Sequence, residues 1–221
     1  MKLRHVLQML FFALVITPFM ALFIGLRVRG RQYLSGKGPF VVVANHSSHL
    51  DTVSLLYLFP LWRLHRIRPV AAADYFERTA LVSWFSRTFF NILPIARLKA
   101  DRTVNPVDAM LEALRAGDSL ILFPEGTRQL DGVMGKFRPG VAYLREAMPD
   151  LPIIPALLVN MGRSLPKGEF LPVPFMCEIR IGEPIQPTGT RDEVMQQVED
   201  AVRNAGRESP VTAAPPSTEN A

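Results

Sequence analysis

Short apolar runs alternate with amphipathic stretches along most of the chain, and the two spacings separate strands from helices. Near-continuous apolar segments predict strands at Phe40–Ala44, Arg68–Ala72, Ile92–Ile95, Ser119–Phe123, Ile153–Leu158 and Cys177–Ile181. Helical spacing predicts helices at His49–Leu58, Ala80–Phe90, Pro106–Ala116, Gly140–Ala147 and Arg191–Ala205. Strands that are apolar at successive positions, not alternate ones, are covered on both faces. The order of elements predicts an α/β fold, a single domain with a mostly buried mixed sheet flanked by helices. No internal repeat is present.

One apolar run is too long for a strand. From Val6 to Leu26 there is no charged residue, and only Gln8, Thr17, Pro18 and Gly25 interrupt it. As a helix this run reaches about 30 Å, close to the thickness of a bilayer core. Lys2 and Arg4 precede it, and Arg27, Arg29 and Arg31 follow it. The denser positive flank is C-terminal, which favours leaving the rest of the chain in the cytoplasm, at the cytoplasmic (inner) membrane. A cleaved signal peptide is the competing reading, but the run is long for one and lacks a convincing small-x-small site before the basic cluster. Pro18 adds a third option, a kinked or re-entrant segment that enters one leaflet. The expected organisation is a membrane anchor with its basic flank over 1–31, a globular domain over 32–205 and a disordered tail over 206–221. Arg27 to Gly38 reads as a basic connector near lipid headgroups. Val159 to Pro174, rich in Pro and Gly, reads as a long loop.

Charge narrows the partners. The formal net charge is +5 and the pI about 9.7, which suits a membrane surface or a phosphorylated substrate. No interleaved basic and aromatic pattern points to nucleic acid. The single cysteine, Cys177, sits in an apolar segment and reads as core packing, not as a nucleophile.

Candidate chemistry lies at strand ends. Asn45-His46-Ser47-Ser48-His49-Leu50-Asp51 follows the first predicted strand. An imidazole can take a proton from an attacking hydroxyl, and a carboxylate on its other nitrogen fixes the tautomer and balances the charge that forms. Ser48-x-x-Asp51 is equally a capping box at a helix start. A metal reading would use His46, His49 and Asp51, but the chain has only four histidines and Cys177 stands in a different kind of segment, and no metal is expected. Further on, Phe123-Pro124-Glu125-Gly126-Thr127-Arg128 leaves another strand through a glycine turn. Arg128 there offers a planar fork suited to phosphate, and Glu125 could orient it or bond a substrate hydroxyl. Arg97 follows the short strand ending at Ile95, and Lys136 and Arg138 precede a helix start, where positive charge suits an anion.

Together, Asn45-His46-x4-Asp51 and Phe123-Pro124-Glu125-Gly126-Thr127-Arg128 resemble the first and third motifs of the glycerolipid acyltransferases. The 1-acyl-sn-glycerol-3-phosphate (lysophosphatidic acid) acyltransferases are the branch most similar. Arg97 falls where the second motif carries its arginine, and Leu151-Pro152-Ile153-Ile154-Pro155 resembles the fourth, so the likeness runs from about Gly38 to Pro184. The resemblance implies acyl transfer from acyl-CoA or acyl carrier protein to a lysophospholipid hydroxyl, with no bound cofactor. It assigns His46 and Asp51 to catalysis, and Arg97, Glu125, Gly126, Thr127 and Arg128 to acceptor binding. Another lyso-lipid acceptor, such as a lyso-ornithine lipid, is the alternative. The second motif departs from the pattern. Asn91 stands where glycine is usual and Pro94 where phenylalanine is frequent, and Ala73-Asp74-Tyr75 lacks the basic residue common just before it.

Overall fold

The computed structural model describes residues 2–36, 38–73, 79–95, 105–130, 133–165, 173 and 175–206. Seven strands form one sheet: β1 Gly25–Arg29, β2 Val41–Ala44, β3 Ile67–Ala72, β4 Leu93–Ile95, β5 Ser119–Leu122, β6 Ile153–Val159 and β7 Met176–Ile181. Their order is β1-β7-β6-β2-β5-β3-β4. From β6 to β4 all neighbours are parallel, and β7 turns antiparallel to β6 and carries β1 parallel to itself. The sheet is therefore mixed, as the sequence predicts.

The continuous apolar runs are explained by helices on both faces. Every residue of β2 is buried. Val42 and Ala44 pack on one side with Leu55, Leu56 and Leu64, whereas Val41 and Val43 pack on the other with Met110, Leu114, Val141, Leu144 and Val198. The first side is covered by α1, which extends over Leu3–Phe23, and by α2 Leu50–Tyr57. The second is covered by α4 Pro106–Arg115, α5 Gly140–Ala147 and α6 Arg191–Asn204. Between β3 and β4, α3 Ala80–Phe89 packs on α1, with Phe85 and Phe89 against Phe11.

Among the described residues α1 is the one helix long and apolar enough to cross a membrane. Pro18 does not break it. Lacking an N–H, Pro18 releases the carbonyl a turn behind it. There the helix widens to a π turn over Phe12–Ile16 before resuming as α at Thr17. Gln8, Phe12, Ile16 and Met20, spaced four apart, are buried along its length, and the last three join the sheet-side core. Leu3, Leu10, Leu14, Leu22 and Phe23 are exposed, and so are Leu81, Val82, Trp84 and Phe85 of the neighbouring α3.

Two expectations need correction. The apolar run does not stay helical to Leu26, because Gly25–Arg29 forms β1, paired with β7 from Gly25↔Met176 to Arg29↔Arg180. The start of the expected basic connector is thus a sheet edge, where Leu26 and Val28 pack inward and Arg27 and Arg29 point out. Arg29 pairs with Glu178 at 2.9 Å and Arg31 donates to Leu58 O, so two of the three flanking arginines are engaged within the fold. The long loop after Val159 begins with a helical turn at Met161–Ser164. Most of its remainder, and the tail expected beyond Gly206, lie outside the described residues.

The unusual second motif also has a physical reason. Asn91 has φ 53°, in the left-handed region where glycine is easiest and asparagine next best. Its side chain donates to the carbonyls of His65 and Ile67, which fixes the turn into β4. Pro94 lies on β4, an edge strand, where a missing N–H costs least.

Candidate functional site

β2 and β5 are adjacent and parallel, and their carboxyl ends lead to opposite faces of the sheet: β2 to α2, β5 towards α5. The chain directions diverge there, and it is at such a divergence that open α/β sheets offer ligands a crevice. His46 leaves β2 into that crevice, and Glu125 leaves β5 into it.

The loop after β2 is tightly held. Asn45, buried, donates from Nδ2 to Leu158 O at 2.9 Å and accepts from Leu158 N at 2.7 Å, extending the β2–β6 ladder by a side chain. His46 Nδ1 lies 2.8 Å from Asp51 Oδ2. That same oxygen accepts from the backbone N–H of Ser47 at 2.7 Å and of Ser48 at 2.8 Å. Asp51 is fully buried in the first turn of α2, and Ser48 Oγ accepts from Leu50 N. Half of the capping box is thus present: Asp51 Oδ2 takes the Ser48 N–H and holds the imidazole with the same oxygen, while Ser48 Oγ bonds Leu50 N in place of Asp51 N. With Nδ1–H given to the carboxylate, the neutral ring keeps its lone pair on Nε2. The imidazole stacks on Phe123, with centroids 4.2 Å apart, and remains one-fifth exposed.

The loop after β5 is bound to the first. The Glu125 carboxylate accepts from His46 N at 3.1 Å, and Gln129 N donates to His46 O at 2.8 Å. Glu125 is buried, and burial raises its pKa against the His46 N–H, which favours the ionised form. Gly126 takes φ 71°, and the Arg138 guanidinium lies where a Cβ would stand. Thr127 is exposed and Arg128 half-buried. His49 is held below its ordinary pKa by desolvation and then by the Arg128 charge. Ser47 Oγ, Asp51 Oδ1, Glu125 Oε2 and Arg128 Nη1 are buried without hydrogen-bond partners, four of the eight such atoms among the described residues. Unsatisfied polar atoms gathered in one crevice mark a surface prepared for a polar ligand.

The structure thus brings together His46, Asp51, Glu125, Gly126, Thr127 and Arg128. Arg97 lies outside the described residues. A family model, Acyltransferase, matches residues 25–159. The chain belongs to the acyltransferase family. Among its relatives, a chloroplast 1-acyl-sn-glycerol-3-phosphate acyltransferase of Brassica napus is 29% identical, covering 76% of this chain and 45% of its own. The alpha 1-acyl-sn-glycerol-3-phosphate acyltransferase of Mus musculus is 26% identical over 82% of this chain and 62% of its own. This acyltransferase chain spans less than half the length of the plant relative and under two thirds of the mouse one. The crystal structure of the 1-acyl-sn-glycerophosphate (LPA) acyltransferase PlsC from Thermotoga maritima has the same fold. Its TM-score is 0.71 at 23% identity, covering 90% of this chain and 77% of that one.

Sequence reasoning passed over the parts of this acyltransferase site that act without reactive groups. The Asn45 bridge and the Ser47 amide are examples, signalled only by an Asn at a strand end, whereas the Ser48 amide on Asp51 is the half of the capping box that the sequence does offer.

Proposed function

We propose that the chain transfers an acyl group from a thioester, acyl-CoA or acyl carrier protein, to the 2-hydroxyl of 1-acyl-sn-glycerol 3-phosphate, giving phosphatidic acid. The observation that carries the reading is the His46–Asp51 pair at 2.8 Å, bonded through the His46 backbone to the loop that bears Arg128. His46 Nε2 accepts the hydroxyl proton as the oxygen attacks the thioester carbonyl carbon. The Asp51 carboxylate balances the imidazolium. As the tetrahedral intermediate collapses the C–S bond breaks, and the imidazolium proton passes to the departing thiolate. Transfer is direct, so no acyl-enzyme forms, and Cys177, buried in β7, takes no part. Arg128 receives the acceptor phosphate together with Arg97, and Gly126 and Thr127 shape the turn that presents it.

A panel of acceptors tests the assignment, assayed with one labelled acyl group on each donor. The highest kcat/KM is expected for 1-acylglycerol 3-phosphate, and a preference for a lyso-ornithine lipid or another lysophospholipid would replace the acceptor named here. Arg128→Ala is expected to raise the acceptor KM by about tenfold or more, as for a lost charge-assisted hydrogen bond, with the donor KM unchanged.

The same reading places the protein on a membrane. Because α1 is packed on the domain along its inner face, it cannot cross a bilayer without taking the domain with it. It lies along one leaflet, its outer leucines and the exposed face of α3 in the acyl region. We assign it to the cytoplasmic leaflet, whose anionic surface suits the chain's net charge of +5. The chain has two tryptophans, so Trp62→Phe leaves Trp84 as the sole indole. Trp84 emission is expected to shift to the blue and be quenched by lipids brominated in their acyl chains. Emission unchanged on adding anionic vesicles would exclude α3 from the membrane face.

A further inference from the structure

Arg138 has no part in the scheme above, yet it is built into the same loop. Its backbone N–H donates to Pro124 O at 2.9 Å, which fixes its position beside the turn. A Cβ placed on Gly126 would stand 2.8 Å from Arg138 Cζ, 2.9 Å from Nε and 3.2 Å from Nη1, so the guanidinium lies flat over the glycine. Arg138 is exposed, and no carboxylate among the described residues pairs with it. Of the acidic groups at the dyad, Asp51 gives Oδ2 to His46 and two amides and Glu125 gives Oε1 to His46 N, and neither pairs with Arg138. On the same turn, Arg128 Nη1 is buried and unpartnered. Two guanidinium groups thus serve one short turn, and its central residue carries no side chain where the second group rests.

A turn that only reversed the chain would need glycine for its φ alone. This one needs it twice, for φ 71° and for the space that Arg138 occupies. A planar fork with free N–H edges, held against a backbone and left without a carboxylate, is a receptor for a tetrahedral oxyanion. We propose that Arg138 is a second phosphate-binding residue, which with Arg128 grips the phosphomonoester of the acceptor. The inference rests on the reading that the Glu125–Arg128 turn receives that phosphate.

The test compares 1-acylglycerol 3-phosphate with monoacylglycerol, which has the same acyl chain and no phosphate. Arg138→Ala is expected to lower kcat/KM for the phosphorylated acceptor by about 10- to 100-fold, chiefly through KM, as for a lost hydrogen-bonded charge. The neutral acceptor changes by less than about twofold on the same ground, since it offers that charge nothing. If transfer to monoacylglycerol is too slow to rank, competitive inhibition by glycerol 3-phosphate replaces it, with Ki expected to rise by the same factor as KM. Arg138→Lys, which keeps charge but loses the flat fork, is expected to fall between wild type and alanine. Gly126→Ala displaces the guanidinium, so adding Arg138→Ala in that background is expected to cost much less than it does alone. An equal loss on both acceptors would reduce Arg138 to packing and overturn the proposal. So would a raised thioester KM with the acceptor KM unchanged, which would give Arg138 to the donor's phosphates instead. Discrimination between the two acceptors that Arg138→Ala leaves undiminished sinks the role of Arg138 alone. A wild-type protein that does not discriminate removes the underlying reading with it.

Discussion

His46→Ala is expected to lower turnover by about 10²- to 10⁴-fold, the usual contribution of a positioned general base, while the protein folds and binds membranes as before. The buried partner is what makes the variant a clean test. Removing the ring leaves the Asp51 carboxylate with the Ser47 and Ser48 amides, so its charge stays hydrogen-bonded and the start of α2 is preserved. The loss should appear in kcat, with little change in the acceptor KM or in Tm. Turnover within about tenfold of wild type would fall short of the range expected for a base and would remove His46 from the chemistry.

Asp51 carries the second large effect, and two substitutions separate its two roles. Asp51→Asn keeps an oxygen for the backbone amides but cannot balance an imidazolium. Turnover is expected to fall by about 10²- to 10⁴-fold with a small change in Tm. Asp51→Ala also strands two buried N–H donors, at a cost of about 1–3 kcal/mol each, so it should lower both turnover and stability. If the asparagine variant keeps near-normal turnover while the alanine variant unfolds, Asp51 is a helix-start residue and nothing more.

Much of this was legible in the chain. β2 and β5 announce themselves as unbroken apolar runs because both faces of the central sheet are covered, and the reactive residues follow at their carboxyl ends. β1 escaped notice because its alternation of Leu26 and Val28 with Arg27 and Arg29 adjoins a longer apolar run, which hides a period of two. Asn91 looked like a departure from the family, but a positive φ admits asparagine as well as glycine, and no sequence pattern reveals φ. The partnership of Gly126 and Arg138 was invisible for a related reason. It depends on a close approach between residues on one turn and its neighbour, and a glycine's chemistry is the space it leaves.

The His46 backbone is held at both ends by the loop after β5, through the Glu125 carboxylate at its N–H and through Gln129 N at its carbonyl. The two loops consequently form one body before either substrate arrives. Ordering a loop residue at the moment of binding costs about 1–2 kcal/mol of backbone entropy, and that cost is already met here during folding. More of the affinity for the lipid is therefore free to align its hydroxyl with the imidazole.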